Sequence, residues 1–168
     1  MQLTATSWTK YQRILFRFIF SYFILFILIE NNGAFPLWGY LMTHPTEWLH
    51  SLIPWVGRNI LHLSYKITVF ANGSGDTTYN YVIVFLIFSM AILASMIWSI
   101  SDWNRQHYKK LYYWLTVAIR FYVALMLINY GIVKVFKIQF PYPGLYRLTQ
   151  PYGDSSPMGL CLDVPRIL

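Results

Sequence analysis

Between Asp76 and Asp102 the chain runs for 25 residues, 77–101, without one charged side chain. About 20 apolar residues carry an α-helix across the hydrocarbon core of a bilayer, so this one segment commits the chain to a membrane. Its centre, residues 82–98, is apolar all round, which suits a helix facing lipid rather than the surface of a soluble core. Tyr79, Tyr81, Trp98 and Trp103 stand at its two ends, where amphipathic rings settle at the interface. Asp76 and Thr77 are placed to cap its first turn.

Two further runs follow the same logic. Residues 111–133 are interrupted by a single charge, Arg120, and are flanked by Lys109, Lys110 and Lys134. Residues 14–29 contain Arg17 near their start; beside Lys10 and Arg13 it is expected to snorkel to the headgroups. A cleaved signal peptide is the rival reading of this N-terminus, but the run is long and aromatic, and no small-residue cleavage pattern follows it. The expectation is an all-α membrane protein, a transmembrane helical bundle in a single membrane domain over 1–168. Its spans lie at about 14–30, 79–101 and 111–134, with an outer loop over 31–78 and an irregular tail over 135–168. Composition agrees: 11% of residues are charged, where soluble domains carry about 25%. An aromatic share of 20% is foreign to disordered chains. The net charge of +7 is scattered in ones and pairs at the span ends, so a lipid bilayer, and no nucleic acid, is the partner it implies.

Orientation follows from the basic residues nearest the spans. Lys10, Arg13 and Arg17 precede or open the first, and Arg105, Lys109 and Lys110 lie between the second and third, against Arg58 and Lys66 in the long loop. The N-terminus is therefore expected inside, although Lys134, Lys137, Arg147 and Arg166 of the tail oppose this. Within the outer loop, Trp48, Leu49, Leu52, Ile53, Val56, Ile60 and Leu63 fall near one helical face. This predicts an interfacial helix, bent or divided at Pro54 and Gly57, with Trp48 and Trp55 as anchors. Residues 65–70 alternate weakly like a strand, residues 71–76 form a turn cluster, and Asn72 opens a short glycosylation sequon.

In the tail, the prolines after Val135 break any helix. A new start with Ser156 as N-cap and Pro157 at the first helical position meets Pro165 before it can span anything. This predicts a fourth helix cut short in a truncated fragment; a natural re-entrant or interfacial tail is the alternative. The run 130–141, Tyr-Gly-Ile-Val-Lys-Val-Phe-Lys-Ile-Gln-Phe-Pro, and the later 150–160, Gln-Pro-Tyr-Gly-Asp-Ser-Ser-Pro-Met-Gly-Leu, resemble the DoxX-like membrane proteins of bacteria. The turn at 73–79 before a span fits the same group. The resemblance covers residues 13–160 and implies a bundle of at least four spans in the bacterial cytoplasmic membrane. This chain departs from that pattern over residues 161–168. Some members of the wider family are linked to thiosulfate:quinone oxidoreduction.

Arg120 carries the strongest chemical signal, because an unpaired charge at mid-span costs at least about 2.5 kcal/mol. At 100° per residue it shares a face with Tyr113, Ala124, Leu127, Gly131 and Lys134. Such a stripe can bind an anion or a quinone carbonyl; equally, Arg120 pairs with a backbone carbonyl or with Glu30 in a helix contact, leaving Gly131 as a close-packing site. The spans hold no His, Cys, Asp or Glu between their ends, so axial histidines and a carboxylate proton relay have no source there. His44, His50 and His62 match no metal spacing, and His107 reads as solvated. Asp154, Ser155 and Ser156 suit helix capping better than hydrolysis. A single cysteine, Cys161, allows no intrachain disulfide. No catalytic residue and no cofactor are evident. The expected role is a non-catalytic subunit that binds a membrane protein partner or a second copy. The alternative is a quinone-linked oxidoreductase subunit whose ligand meets Arg120, Tyr130 and Lys134.

Overall fold

Two of the long helices begin where a side chain replaces a missing backbone acceptor. The computed structural model describes residues 8–65, 67, 69, 76–136 and 149. It contains α1 (Lys10–Ile29), α2 (Trp38–Leu41), α3 (Thr43–Asn59), α4 (Thr78–Ser101) and α5 (Lys109–Val135); among the described residues there is no strand. Thr9 opens α1 with a capping box: its Oγ1 accepts from the Gln12 N–H at 3.3 Å, and Gln12 Oε1 accepts from the Thr9 N–H at 2.9 Å. At α4, Thr77 Oγ1 accepts from the Asn80 N–H at 3.3 Å, the cap expected of this residue. α1, α4 and α5, with 20, 24 and 27 residues, are long and apolar enough to cross a membrane. α1 begins four residues before the apolar run because the capping box, rather than hydropathy, sets its start.

Three hydroxyls of α4 and α5 are paired within their own helices. Ser89 donates to the Phe85 carbonyl at 2.8 Å, Ser99 to that of Ser95 at 2.7 Å, and Thr116 to that of Tyr112 at 2.8 Å, each bonding one turn back along its own helix.

The chain divides into two compact units. One comprises Met1–Pro36 and Phe85–Leu127, the other Leu37–Val84 and Ile128–Leu168. The core of the first is aromatic: Phe16, Tyr108 and Leu115 are buried, with Trp8, Phe20, Trp98, Leu111 and Ile119 packed around them. Phe16 stacks on Tyr108 at 5.3 Å between centroids, and Trp98 meets Tyr108 edge-on at 5.5 Å. α4 offers this unit a narrow buried stripe, Ile87, Ala91 and Ser95, at the four-residue spacing that keeps one face inward.

In the second unit the long loop is helical where periodicity predicts it, but α3 is not divided. It runs through Pro54 and Gly57 without interruption. Ile53, Val56 and Gly57 are buried, while Trp48 and Trp55 are exposed, free to serve as interfacial anchors. Gly57 has a packing reason: Ile67 Cδ1 occupies the space a Cβ would need. The His50 ring meets the Tyr79 ring edge-on at 5.9 Å. Tyr65, Ile67 and Val69 lie in neither helix nor strand. The other residues of the expected short strand, the turn at 71–75 with its sequon, and the truncated fourth helix lie outside the described residues.

Candidate functional site

The helix that carries Arg120 puts the whole expected stripe on an exposed face. Tyr113, Arg120, Ala124, Leu127, Gly131 and Lys134 are all exposed. Arg120 has no hydrogen-bond or ion-pair partner among the described residues, so the expected pairing with Glu30 does not form. The Glu30 backbone carbonyl instead accepts from the Tyr122 hydroxyl at 2.6 Å. Gly131 is not a close-packing site either, since nothing lies within 4 Å of a Cβ built there. Arg120 belongs to the first compact unit, and Tyr130 and Lys134 to the second. Within the second unit the Lys134 ammonium stands over the Tyr130 ring, 4.6 Å from its centroid, a cation–π contact between neighbours on one helix face.

Two residues down the helix, Tyr122 does what Arg120 does not. It is buried, receives a hydrogen bond from Asn32 Nδ2 at 2.9 Å and lies near the Phe26 and Phe35 rings. Asn31 shapes the chain that delivers these groups, its Oδ1 accepting from the Phe35 N–H at 2.9 Å and its Nδ2 donating to the Phe35 carbonyl at 3.1 Å. This knot ties the C-terminal end of α1 to mid-α5.

The opposite end of α1 holds a denser cluster, and here the sequence expectation fails. Arg17 does not snorkel: only 4% of it is exposed. Its Nε donates to Tyr108 Oη at 2.9 Å, its Nη2 donates to the same oxygen at 2.7 Å, and Nη2 also reaches the Asp102 backbone carbonyl at 2.6 Å. The Tyr108 hydroxyl passes its own proton toward Asp102 Oδ2 at 2.8 Å, and Arg105 faces that carboxylate at 3.8 Å. Burial pushes the Tyr108 phenol above its ordinary range; the hydrogen bond from Arg17 pulls down, and donation to Asp102 adds to the rise. Arg13 Nη1 donates to the Arg105 carbonyl at 2.8 Å, and the Trp8 N–H donates to that of Gln106 at 3.2 Å. The N-terminal segment and the 102–108 loop are thereby held together at one end of this unit.

Sequence reasoning missed Tyr108, Asp102 and Tyr122 as organising residues, because each partner is 85 to 92 residues away along the chain. Among the described residues, no group of three or more His, Cys, Asp or Glu side chains gathers as a metal ion would require. His44 lies 3.7 Å from Glu47, both exposed, and His107 is exposed. Compared with known protein families, curated proteins and solved structures, the chain finds no match in any of the three.

Proposed function

We propose that this chain is a non-catalytic helical membrane subunit that works by holding another membrane protein against the exposed face of α5. Arg120 carries this reading: a cation near the middle of a span, exposed and without a partner among the described residues. At that depth it draws an acceptor out of whatever packs against it. A second copy is poorly equipped to supply a carboxylate there, because none of the six acidic residues lies between the ends of a span. The fitting partner is a transmembrane helix of another protein with an acidic side chain at matching depth. The orientation that accompanies the proposal has the N-terminus inside a bacterial cytoplasmic membrane. The joining of the basic N-terminal segment to the loop that leads into Lys109 and Lys110 supports that side, and the DoxX-like resemblance supports that membrane.

The test uses the purified chain in vesicles with two synthetic helices, one of leucine alone and one with a central glutamate, followed by energy transfer. The glutamate helix should associate selectively with the wild-type chain and lose that preference with Arg120→Leu. Equal association of the two helices, or a preference that survives the substitution, overturns the reading. The competing proposal, a quinone-linked oxidoreductase subunit using Arg120, Tyr130 and Lys134, predicts instead a saturable quinone titration weakened by the same substitution.

A further inference from the structure

At the end of the first unit where α1 begins and α4 finishes, three cations converge on one small pocket. Lys10, Arg13 and Arg17 line it with Ile14, Ser99 and Trp103, around a volume of about 90 Å³. That is room for roughly three waters, the scale of a small oxyanion. The acid nearest these cations along their hydrogen-bond network, Asp102, is engaged by the Tyr108 hydroxyl and Arg105, so the pocket keeps its positive sign. Ser99 has spent its proton on the Ser95 carbonyl, which leaves the basic side chains as its principal donors. One of those donors is stranded: Arg13 Nε is buried and has no partner among the described residues. A buried donor attached to a charge is costly to leave unpaired, and it adds to the unneutralised positive character of this side of the pocket.

The pocket does not stand alone. Ile14 also lines an adjoining apolar groove between α1 and α4, of about 590 Å³, together with Leu15, Phe18, Ile92 and Met96. A cationic pocket at the start of α1 that shares Ile14 with an open apolar groove matches one chemistry: a negatively charged headgroup joined to a hydrocarbon tail. We propose that this is a binding site for an anionic phospholipid. The headgroup phosphate sits against Lys10 and Arg13 beneath Trp103, with Arg17 closing the inner wall, and one acyl chain lies along Ile14, Phe18 and Met96. Arg17 is a wall rather than a clamp, because Tyr108 and Asp102 already hold its Nε and Nη2. The inference is independent of what docks at Arg120.

The experiment is native mass spectrometry of the intact chain released from nanodiscs of phosphatidylglycerol mixed with phosphatidylcholine. One phosphatidylglycerol per chain should be retained in preference to phosphatidylcholine. The double variant Lys10→Gln, Arg13→Gln should lower that preference about thirtyfold, from roughly fivefold for each basic residue near an anionic headgroup. Met96→Trp, which fills the groove and leaves every charge in place, should lower lipid retention in a chain whose thermal melting shows it folded. Inorganic phosphate added before release should displace little of the bound lipid. Equal retention of the two lipids, or retention indifferent to either variant, overturns the proposal. Complete displacement by phosphate also overturns it, in favour of a site for the free anion.

Discussion

Two arginines sit inside apolar helices of the same compact unit, and the fold treats them in opposite ways. Arg17 lies in the second turn of α1, where the 102–108 loop brings a phenol and a backbone carbonyl to it, and it is buried with three hydrogen bonds. Arg120 lies near the middle of α5, where its neighbours on the face are Tyr113, Ala124 and Leu127, and it is exposed. The difference teaches that a charge in an apolar run is not classified by its own helix. Arg17 is an internal strut because a second element, distant in sequence, meets it with acceptors; Arg120 faces outward because no described element does.

The comparison breaks most directly at Arg17 itself. Arg17→Met leaves the Tyr108 hydroxyl and the Asp102 carbonyl without their buried partner and should destabilise the chain by about 3 kcal/mol. Arg120→Leu should change the stability of the isolated chain by no more than about 0.5 kcal/mol. Unfolding from mild micelles with a denaturing detergent, followed by circular dichroism, compares the two. Equal losses would show that the distinction between strut and outward charge is wrong.

A smaller effect separates the two tyrosine knots. Tyr108→Phe deprives a charged donor of its acceptor and should cost about 2 kcal/mol, whereas Tyr122→Phe leaves only neutral partners and should cost about 1 kcal/mol. The reverse order in the same unfolding assay would mean that the Asn32–Tyr122 end, rather than the Arg17 end, anchors α1 to α5.

The smallest effect is in alkali. Because burial holds the Tyr108 phenol above its ordinary value of 10.0, its contribution to stability is fully present below about pH 10. That contribution is lost as pH rises through the higher folded value. Melting temperature should fall on that alkaline limb in the wild type and flatten in Tyr108→Phe; an unchanged limb would detach Tyr108 from the cluster's stability.

The helices were legible because hydropathy and spacing act locally: the uncharged run of α4, the Thr77 cap and the amphipathic face of α3 each declare themselves within about 20 residues. The capping box of Thr9 and Gln12 is a local Thr-x-x-Gln signal that hydropathy overlooks, and it moves the helix beginning ahead of the apolar run. Pro54, expected to bend or divide α3, does not divide it, since a proline removes one backbone hydrogen bond and the buried face of Ile53 and Val56 can hold the helix through it. Of the site, the Arg120 stripe could be drawn on a helical wheel because it lies on one helix. Arg17 was misread because nothing near position 17 announces Tyr108 or Asp102. Long-range polar pairing leaves no periodic trace.

The long span between Arg17 and its acceptors has a consequence in time. Chains are made from the N-terminus, at roughly 5–20 residues per second, and α4 carries no charged side chain. α4 can therefore enter the bilayer as a finished piece. α1 cannot: until Tyr108, 91 positions later, has emerged from the ribosome, Arg17 is a charge waiting for its socket. The newborn first helix must linger at the headgroups or be shielded by the insertion machinery, so the order of biogenesis is written into a single side chain.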